Sequence, residues 1–415
     1  MLNKISTGIL TLSLGVSLLT GCGTTENGEQ GENGDVVTLE LFSNKSESID
    51  TYKGLIKDFE EKNPDIKIKL DAPPEAETVL KTRLTKNDLP DIMSIGGNAT
   101  YGELGRAGVL HDFTESELIG AIQPAYVDMI NRLVGTEHQG VFGLPYATNA
   151  NVVIYNKAKF EELGIDVPTT WDEFISALDK AKEAGEVPIY YTLKDAWTAL
   201  PSWNSVAANI AGEDFAEKKN AGETTFVESY DEVADKMMTL LQYGHGDNFG
   251  VAYGDGNNAF ATGKGVMYLQ GNWAIPEIVK ANPDANVGTF AMPVTNEPDK
   301  NRLVSGVDVL LAISEDSDHK EEAMRFIEFM MTEESAKRYI DEQKAFSAVQ
   351  NVFQEDPVFE GIKSNFEEGK ITSFPDHYYP AGMGAENLIQ EFLLEQKKDT
   401  FLKKMDSEWD KVQNR

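Results

Sequence analysis

Few residues in this 415-residue sequence are spaced for catalysis or for metal binding. No G-x-S-x-G nucleophile motif occurs, and residues 254–259 match G-x-G-x-x-A without the preceding strand that a dinucleotide loop requires. Carboxylates are plentiful, but the sequence cannot fix the separation that a glycosidase pair needs. The histidines form no H-E-x-x-H pair, and they stand alone at His111, His138, His245, His319 and His377. We therefore expect no catalytic residue, no metal and no cofactor.

The single cysteine, Cys22, stands between an apolar run and an acidic, glycine-rich stretch. Residues 1–21 carry one Lys and a short apolar segment, which predicts a cleaved export signal. The residues 19–22, Leu-Thr-Gly-Cys, resemble a bacterial lipobox, in which the cysteine is acylated and anchors the chain. Residues 22–35 are then a lipidated, disordered tether. The alternative is a buried cysteine after an ordinary signal.

The formal charge of −32 limits the kinds of molecule that the protein can bind. Removing residues 1–21 removes only Lys4, so the charge becomes −33 for the mature chain. Nucleic-acid binding needs the opposite sign, so we expect no nucleic-acid partner. With no cysteine after Cys22, ordinary hydrophobic cores must stabilise the fold, and the length indicates two domains.

The first part of the mature chain alternates strands and helices. Residues 36–42 and 66–70 alternate apolar and polar side chains, and residues 91–95 predict a third strand. Between them, the apolar positions of 49–59 fall on one helix face, and residues 79–84 also predict a helix. This β-α-β-α-β order predicts a mainly parallel α/β sheet with a ligand crevice beyond the carboxyl ends of its strands.

The same alternation begins again further along the chain. Residues 151–155, 187–192 and 307–313 predict strands. Thr170 and Glu173 form a capping box that opens a helix, and further amphipathic helices follow. No glycine-rich linker separates the two parts. We therefore expect two α/β lobes joined by strand-like connections.

Several sequence blocks occur in an order that resembles one protein family. They are Phe-Glu-Glu-Lys-Asn-Pro at 59–64, Leu-Pro-Asp-Ile at 89–92, Gly-Val-Phe-Gly-Leu-Pro-Tyr at 140–146, Tyr-Asn-Lys at 155–157, Pro-Thr-Thr-Trp-Asp-Glu-Phe at 168–174 and Gly-Asn-Trp at 271–273. Together they resemble the extracellular solute-binding proteins of ABC sugar importers, the group that includes maltose-binding protein. The resemblance covers nearly all of the chain after residue 36, and Asp308 departs from it where small residues are commoner.

The resemblance implies a two-lobe, periplasmic-binding-protein-like α/β fold with a ligand cleft between the lobes. Lobe 1 is expected at residues 36–148 plus 305–343, and lobe 2 at 149–304 plus 344–415. Three crossovers are expected near 147–151, 303–305 and 342–345. The implied partners are an oligosaccharide and the ABC permease with its ATPase, and the receptor itself is expected to be a monomer without catalysis.

Sugars present apolar faces and a rim of hydroxyls, so their sites combine aromatic rings with planar polar side chains. Trp273 is expected to stack on the sugar, and Trp203 and Trp197 are further candidates; for each, packing in the core is the alternative. The candidate polar contacts at strand ends and crossovers are Asn44, Asn98, Tyr146, Asp308 and Tyr379. For Asp308, a hydrogen bond at the hinge backbone is the alternative to a sugar contact.

These expectations combine into one functional hypothesis. The protein is a receptor, lipid-anchored on the extracellular face of a bacterial cell membrane, that binds an oligosaccharide and delivers it to an importer. A surface glycoside-active enzyme and an adhesive lipoprotein are the alternatives. Stoichiometric sugar binding without products would exclude the enzyme.

Overall fold

The structure is a computed structural model that describes residues 36–73, 76–135, 137, 138, 140–380 and 382–413. The predicted export signal, Cys22 and the predicted tether lie outside these residues. From Val36 to Arg415 the chain forms one compact unit. Among the described residues, no helix is both long enough and apolar enough to cross a membrane.

In the residues that the structure describes, nine strands form one continuous, curled set of ladders. They are β1 (Val37–Ser43), β2 (Ile66–Asp71), β3 (Ile92–Ile95), β4 (Leu144–Asn156), β5 (Met267–Gly271), β6 (Val287–Phe290), β7 (Leu303–Ile313), β8 (Phe346–Ser347) and β9 (Ile371–Thr372). The main path runs β2-β1-β3-β7-β4-β5, with β6 and β8 beside β4 and β9 beside β7.

Seventeen α-helices lie in the described part of the chain. The first eight are α1 (Ile49–Lys62), α2 (Ala76–Thr85), α3 (Ala99–Arg106), α4 (Pro124–Val134), α5 (Lys157–Leu163), α6 (Trp171–Glu183), α7 (Leu200–Ile210) and α8 (Phe215–Asn220). The others are α9 (Phe226–Ser229), α10 (Asp231–Leu241), α11 (Tyr253–Ala261), α12 (Ala274–Ala281), α13 (Lys320–Met330), α14 (Glu333–Gln343), α15 (Lys363–Glu367), α16 (Ala385–Glu395) and α17 (Lys398–Gln413). Short 3-10 turns include Ala196–Ala199 and Pro375–Tyr378.

The expectation of a mainly parallel sheet is confirmed for the three strands from which it was drawn and is wrong for the sheet as a whole. β1 pairs in parallel with β2 and β3, but β7 is antiparallel to both β3 and β4. β4 is also antiparallel to β5 and β6. The predicted strand at 187–192 makes only an isolated bridge, between Ile189 and Met267. Its apolar run is buried beside β5 without a ladder, so burial alone produced the strand-like pattern.

Separate hydrophobic cores give the molecule two lobes. One core joins β1, β2, β3 and the helices α1, α3, α4, α13 and α14 with the first part of β4 and most of β7. Two further clusters lie on opposite faces of β4, β5 and β6, together with the helices between α5 and α12 and with α16 and α17. We call the first core and its elements lobe 1, and the others lobe 2. This confirms the two-lobe α/β prediction.

Long strands connect the two lobes. In β4, Leu144 lies in the lobe 1 core and Ile154 in the lobe 2 cores; in β7, Leu303 packs in lobe 2 and Leu311 in lobe 1. The third connection follows α14, where Ala345 and Val349 pack in lobe 1 and Phe346 between them packs in lobe 2. The exact boundaries expected from the sequence stay a prediction.

Candidate functional site

The edge of lobe 1 that faces lobe 2 is polar. β1 and β3 are parallel, so their carboxyl ends meet at this edge, and Asn44 and Gly96 directly follow them. β7 passes beside the end of β3, where the backbone N–H of Gly97 donates to Val307 at 2.9 Å. This close approach needs glycine, because a Cβ at Gly97 would lie 2.8 Å from the Val307 Cβ. The sheet therefore brings Asp308, the next residue of β7, to the same edge.

Asp308 is the centre of a small polar network at this edge. Its Oδ1 accepts a hydrogen bond from Lys45 Nζ at 2.6 Å and another from Asn149 Nδ2 at 3.0 Å. The Lys45 and Asp308 side chains are only 16% and 22% exposed, so the ion pair is shielded from salt more than a surface pair would be. The pair leaves this part of the edge without net charge.

This network has more hydrogen-bond acceptors than the protein satisfies. The side-chain oxygens Oδ1 of Asn44 and Oδ1 of Asn149 are buried and have no partner among the described residues. A buried polar atom without a partner costs about 1–3 kcal/mol, so such atoms mark places where a water or a ligand completes the bonding. The missing partner must donate a hydrogen bond.

Asn98 lies beside these residues and is also the N-cap of α3. Its Oδ1 accepts from the backbone N–H groups of Thr100 and Tyr101 and so caps α3, and its Nδ2 donates to Glu77 at 2.7 Å. A Cβ placed on Gly96 would lie 3.6 Å from Asn98 Nδ2 and 3.8 Å from Asn44 Nδ2. The structure therefore brings three of the predicted polar residues, Asn44, Asn98 and Asp308, to one edge.

Lobe 2 faces this edge with the turn Pro375–Tyr378. The rings of Phe374 and His377 stack with their centroids 4.8 Å apart, and both lie against Gly306 of β7. Asp376, between them, has a buried Oδ1 without a partner among the described residues. Like the amides of lobe 1, it presents an acceptor rather than a donor.

A pocket of about 340 Å³ lies between Asn98 of this edge and the turn of lobe 2, while Asp308, Asn44 and Asn149 lie outside its lining. Lobe 1 contributes α2 and the start of α3, and lobe 2 contributes the start of α7, the turn at 375–378 and the loop before α16; the side chains include Glu77, Lys81, Asn98, Leu200, Asp376, His377 and Met383. Its size lies within the range of about 300–1,000 Å³ typical of small-molecule sites. Within the described ranges, no group of His, Cys, Asp and Glu could hold a metal ion.

Trp273 lies at the inner end of lobe 2, next to the connections. It follows β5, and its indole covers Gly271, where any side chain would overlap the ring. The ring is partly buried, and its Nε1 is buried without a partner among the described residues. Trp197 is 38% exposed and makes an edge contact with Tyr253 at 4.8 Å. Burial raises the pKa of Tyr253 to about 12, so its hydroxyl is neutral at physiological pH.

The other predicted aromatic residues are buried, and of these Tyr379 also lines the pocket between the lobes. Trp203 is fully buried, stacks on Tyr230 at 5.4 Å and donates from Nε1 to the Tyr379 hydroxyl at 3.1 Å, which in turn donates to the Tyr230 hydroxyl at 3.0 Å. Tyr146 is buried in lobe 1 and donates to the Ser335 carbonyl at 3.1 Å. The structure thus separates Trp203 and Tyr146 from the acceptor-rich edge, and their roles in binding stay predictions.

Sequence reasoning missed Lys45, Asn149, Phe374, Asp376 and His377. Lys45 directly follows the predicted residue Asn44 at the end of a strand. His377 lies two positions before the predicted residue Tyr379 in a loop. The sequence contained a signal for Lys45, because an aspartate within an apolar strand and a lysine at the end of a strand can form an ion pair. No sequence signal could place Phe374 and His377 against Gly306, because that contact joins residues about 70 positions apart.

Comparison with known proteins agrees with this geometry. Residues 45–337 match the model of the family "Bacterial extracellular solute-binding protein". The "Multiple sugar-binding protein" of Streptococcus mutans is 31% identical over 325 residues, 76% of this chain and 75% of its own length. The "Melibiose/raffinose/stachyose-binding protein MelE" of Bacillus subtilis is 25% identical over 333 residues, 78% of this chain and 76% of its own.

Solved structures show the same likeness over nearly the whole chain. RafE in complex with raffinose superposes with a TM-score of 0.79 at 27% identity, covering 91% of this chain and 99% of that one. The ligand-free form of RafE from Streptococcus pneumoniae gives 0.80 at 26% identity, covering 92% and 99%. These matches are to binding proteins rather than to enzymes. With two lobes, a polar cleft between them and these similarities, the chain belongs to the bacterial extracellular solute-binding protein family.

Proposed function

We propose that the protein is an extracellular receptor for a neutral oligosaccharide of the raffinose type, which it binds in the cleft between its lobes. The observation that carries this proposal is the surplus of acceptors around Asp308. Asn44 and Asn149 present unpaired oxygens there, and Asp376 presents another from lobe 2. Sugar hydroxyls are the donors that such oxygens require. The carboxylates of Asp376 and Glu77 disfavour an anionic ligand.

The relatives narrow the class of sugar. MelE carries melibiose, raffinose and stachyose in its name, and RafE was solved with raffinose. These sugars share an α-linked galactose. The match to RafE covers 91% of this chain, and the match to MelE covers 78% of it. We therefore expect an α-galactoside to bind more tightly than a glucan or a xylan fragment of similar length.

A sugar panel tests this proposal. A ligand that binds only the folded state adds RT ln(1 + [L]/Kd) to its stability, so raffinose, stachyose or melibiose should raise the melting temperature, while maltotriose and xylotriose should not. Calorimetry should then give one sugar per chain, without hydrolysis products. Equal stabilisation by maltotriose, or none by any α-galactoside, would contradict the proposed sugar class.

Closure of the lobes follows from a site with two walls. A ligand that contacts lobe 1 through Asp308 and lobe 2 through Asp376 and Trp273 binds the closed form better than the open one, and only such a difference shifts the equilibrium. We assign lobe 1 to residues 36–148 plus 305–343 and lobe 2 to 149–304 plus 344–415. The closed form would then deliver the sugar to an ABC permease with its ATPase.

Replacing Trp273 with alanine is expected to weaken sugar binding by about ten- to a hundredfold, because an aromatic platform of this kind is worth roughly 1–3 kcal/mol. Calorimetry measures the change. Trp171→Ala is the matched control: Trp171 lies on lobe 2 with Lys236 Nζ 3.9 Å from its ring centroid, away from the cleft residues. A Trp273 variant that binds normally but melts much lower would assign Trp273 to the core instead.

We also propose that Cys22 anchors the receptor to the outer face of the membrane. The lipobox-like residues 19–22 and the polar stretch after them support this. Cys22→Ser is expected to release the protein from the membrane or to leave it unprocessed, while the purified variant binds sugar as before. Fractionation and mass spectrometry of the amino terminus measure both effects. Normal processing together with unchanged membrane retention would contradict the anchor.

A further inference from the structure

Asn272 is a buried amide that bonds to two separate connections between the lobes. It follows β5, directly before Trp273, and is 3% exposed. Its Oδ1 accepts from the backbone N–H of Ala150 at 2.8 Å, and its Nδ2 donates to the backbone carbonyl of Lys344 at 2.8 Å. Its own backbone N–H also donates to the Ala150 carbonyl at 3.1 Å. One side chain therefore holds two distant segments together.

Both segments lie where the chain passes between the lobes. Ala150 belongs to β4, between Ala147 in the lobe 1 core and Val152 in a lobe 2 cluster. Lys344 directly follows α14 of lobe 1 and comes two residues before Phe346, which packs in lobe 2. The Asn272 amide therefore fixes the distance between two of the three connections on the lobe 2 side.

Lys344 adopts a backbone conformation that requires such support. Its φ of 51° lies in the left-handed region, which a residue with a side chain rarely adopts without surrounding contacts. Three contacts hold it: the bond from its backbone N–H to the Ile340 carbonyl, the bond from Asn272 to its own carbonyl, and the ion pair from its Nζ to Asp356 at 2.8 Å. The Asn272 bond therefore stabilises the turn with which the third connection begins.

We propose that Asn272 is a positioning residue that couples the sugar platform to the hinge. Trp273 is its direct neighbour, so a sugar that packs on the indole presses on the segment that also holds Ala150 and Lys344. Hinge closure takes place through a few backbone torsions at the connections, and a fixed pair of connections restricts that rotation to one path. This inference rests on the proposed sugar-binding function. Asn272 itself contacts backbone rather than ligand.

Replacing Asn272 should weaken sugar binding even though its side chain does not contact the sugar. Asn272→Ala loses both side-chain bonds, and the loss of buried hydrogen bonds of this kind corresponds to about a tenfold weaker Kd for raffinose. The change should come from faster dissociation in stopped-flow measurements, because the closed form is the one that loses support. Scattering should show a smaller decrease in radius of gyration on saturation with raffinose than in the unmodified protein.

Asn301 provides a matched control within lobe 2. It is also buried, its Oδ1 accepts from Val294 N at 3.0 Å and Thr295 N at 2.9 Å, and its Nδ2 donates to the Thr169 carbonyl at 3.1 Å. Asn301→Ala should lower the melting temperature about as much as Asn272→Ala, yet bind raffinose with an unchanged Kd. An equal loss of affinity in both variants would reduce Asn272 to an ordinary structural residue and overturn the inference.

Asn272→Asp separates the two bonds. The carboxylate still accepts from Ala150 N–H but cannot donate to the Lys344 carbonyl, so its raffinose affinity should fall as in Asn272→Ala. It is nearly isosteric and leaves no cavity, and thermal unfolding should show that the buried carboxylate is tolerated. Affinity and compaction equal to those of the unmodified protein would overturn the coupling through Lys344.

A measurement without sugar keeps this inference apart from the proposed function. Hydrogen exchange over residues 144–150 and 344–348 should become faster in Asn272→Ala and not in Asn301→Ala. If no α-galactoside binds the unmodified protein but exchange rises in this way, the sugar class is wrong and the bridge between the connections stands. Unchanged exchange in Asn272→Ala overturns the bridge whatever the ligand is.

Discussion

Replacing Asp308 with asparagine is expected to weaken sugar binding by between about tenfold and a hundredfold. The substitution keeps the shape of the side chain but removes its charge, and hydrogen bonds to a charged group contribute roughly 1.5–3 kcal/mol. It also removes the carboxylate that forms an ion pair with Lys45, whose side chain is only 16% exposed. Calorimetry with raffinose measures the loss of affinity, and thermal unfolding shows that the variant remains folded.

An exposed ion pair in the same lobe serves as the control. Asp65 contacts Arg325 at 2.7 Å with both side chains about half exposed, so Asp65→Asn should leave sugar affinity unchanged and alter stability little. A double variant of Lys45→Met with Asp308→Asn should lose less than the sum of the single losses, because the two residues act through one contact. Additive losses would show that Lys45 and Asp308 do not act through one contact. Normal binding by Asp308→Asn would place Asp308 in the hinge rather than in the site.

The largest effect on stability is expected for Trp203→Ala. The side chain is fully buried against Tyr230 and Phe401, and truncation of such a residue costs about 3–5 kcal/mol. Trp203→Phe keeps a ring but loses the bond to the Tyr379 hydroxyl, so it should cost less. Urea unfolding measures both changes.

The same two variants decide the role of Trp203 in binding. If Trp203 belongs only to the core, the folded Trp203→Phe variant binds raffinose with an unchanged Kd. If that variant keeps most of its stability but loses affinity, Trp203 contacts the sugar, as the sequence analysis proposed. The contacts to Tyr230 and Tyr379 in the present structure favour the first result.

The sequence predicted those parts of the fold that depend on neighbouring residues. The alternation in 66–70, the helix face between Tyr52 and Phe59 and the capping box of Thr170 with Glu173 are all confirmed. Strand direction was not predictable in this way, because apolar runs look alike in either direction. β7 illustrates this: its residues read as a buried strand, but only the fold shows that it runs antiparallel to β3.

The candidate site was predictable where strand ends determine it. Asn44 and Asn98 follow parallel strands, and topology alone brings them to one edge. Trp203 shows the limit of this reasoning, because the sequence left stacking on the sugar and packing in the core as alternatives, and only the fold shows that Tyr230 and Phe401 pack against it. The burial of an aromatic ring depends on distant segments, and a single sequence does not contain that information in its local pattern.

The position of β7 has a consequence for how the chain acquires its structure during synthesis. In lobe 1, β7 lies between β3 and β4, so the sheet that begins with residue 37 cannot close until residue 313 has been made. Lobe 2 waits longer still, because α16 and α17 complete its core. Contacts between such distant residues form slowly. We therefore expect neither lobe to complete its core before most of the chain has been made, which favours export of the chain before it folds.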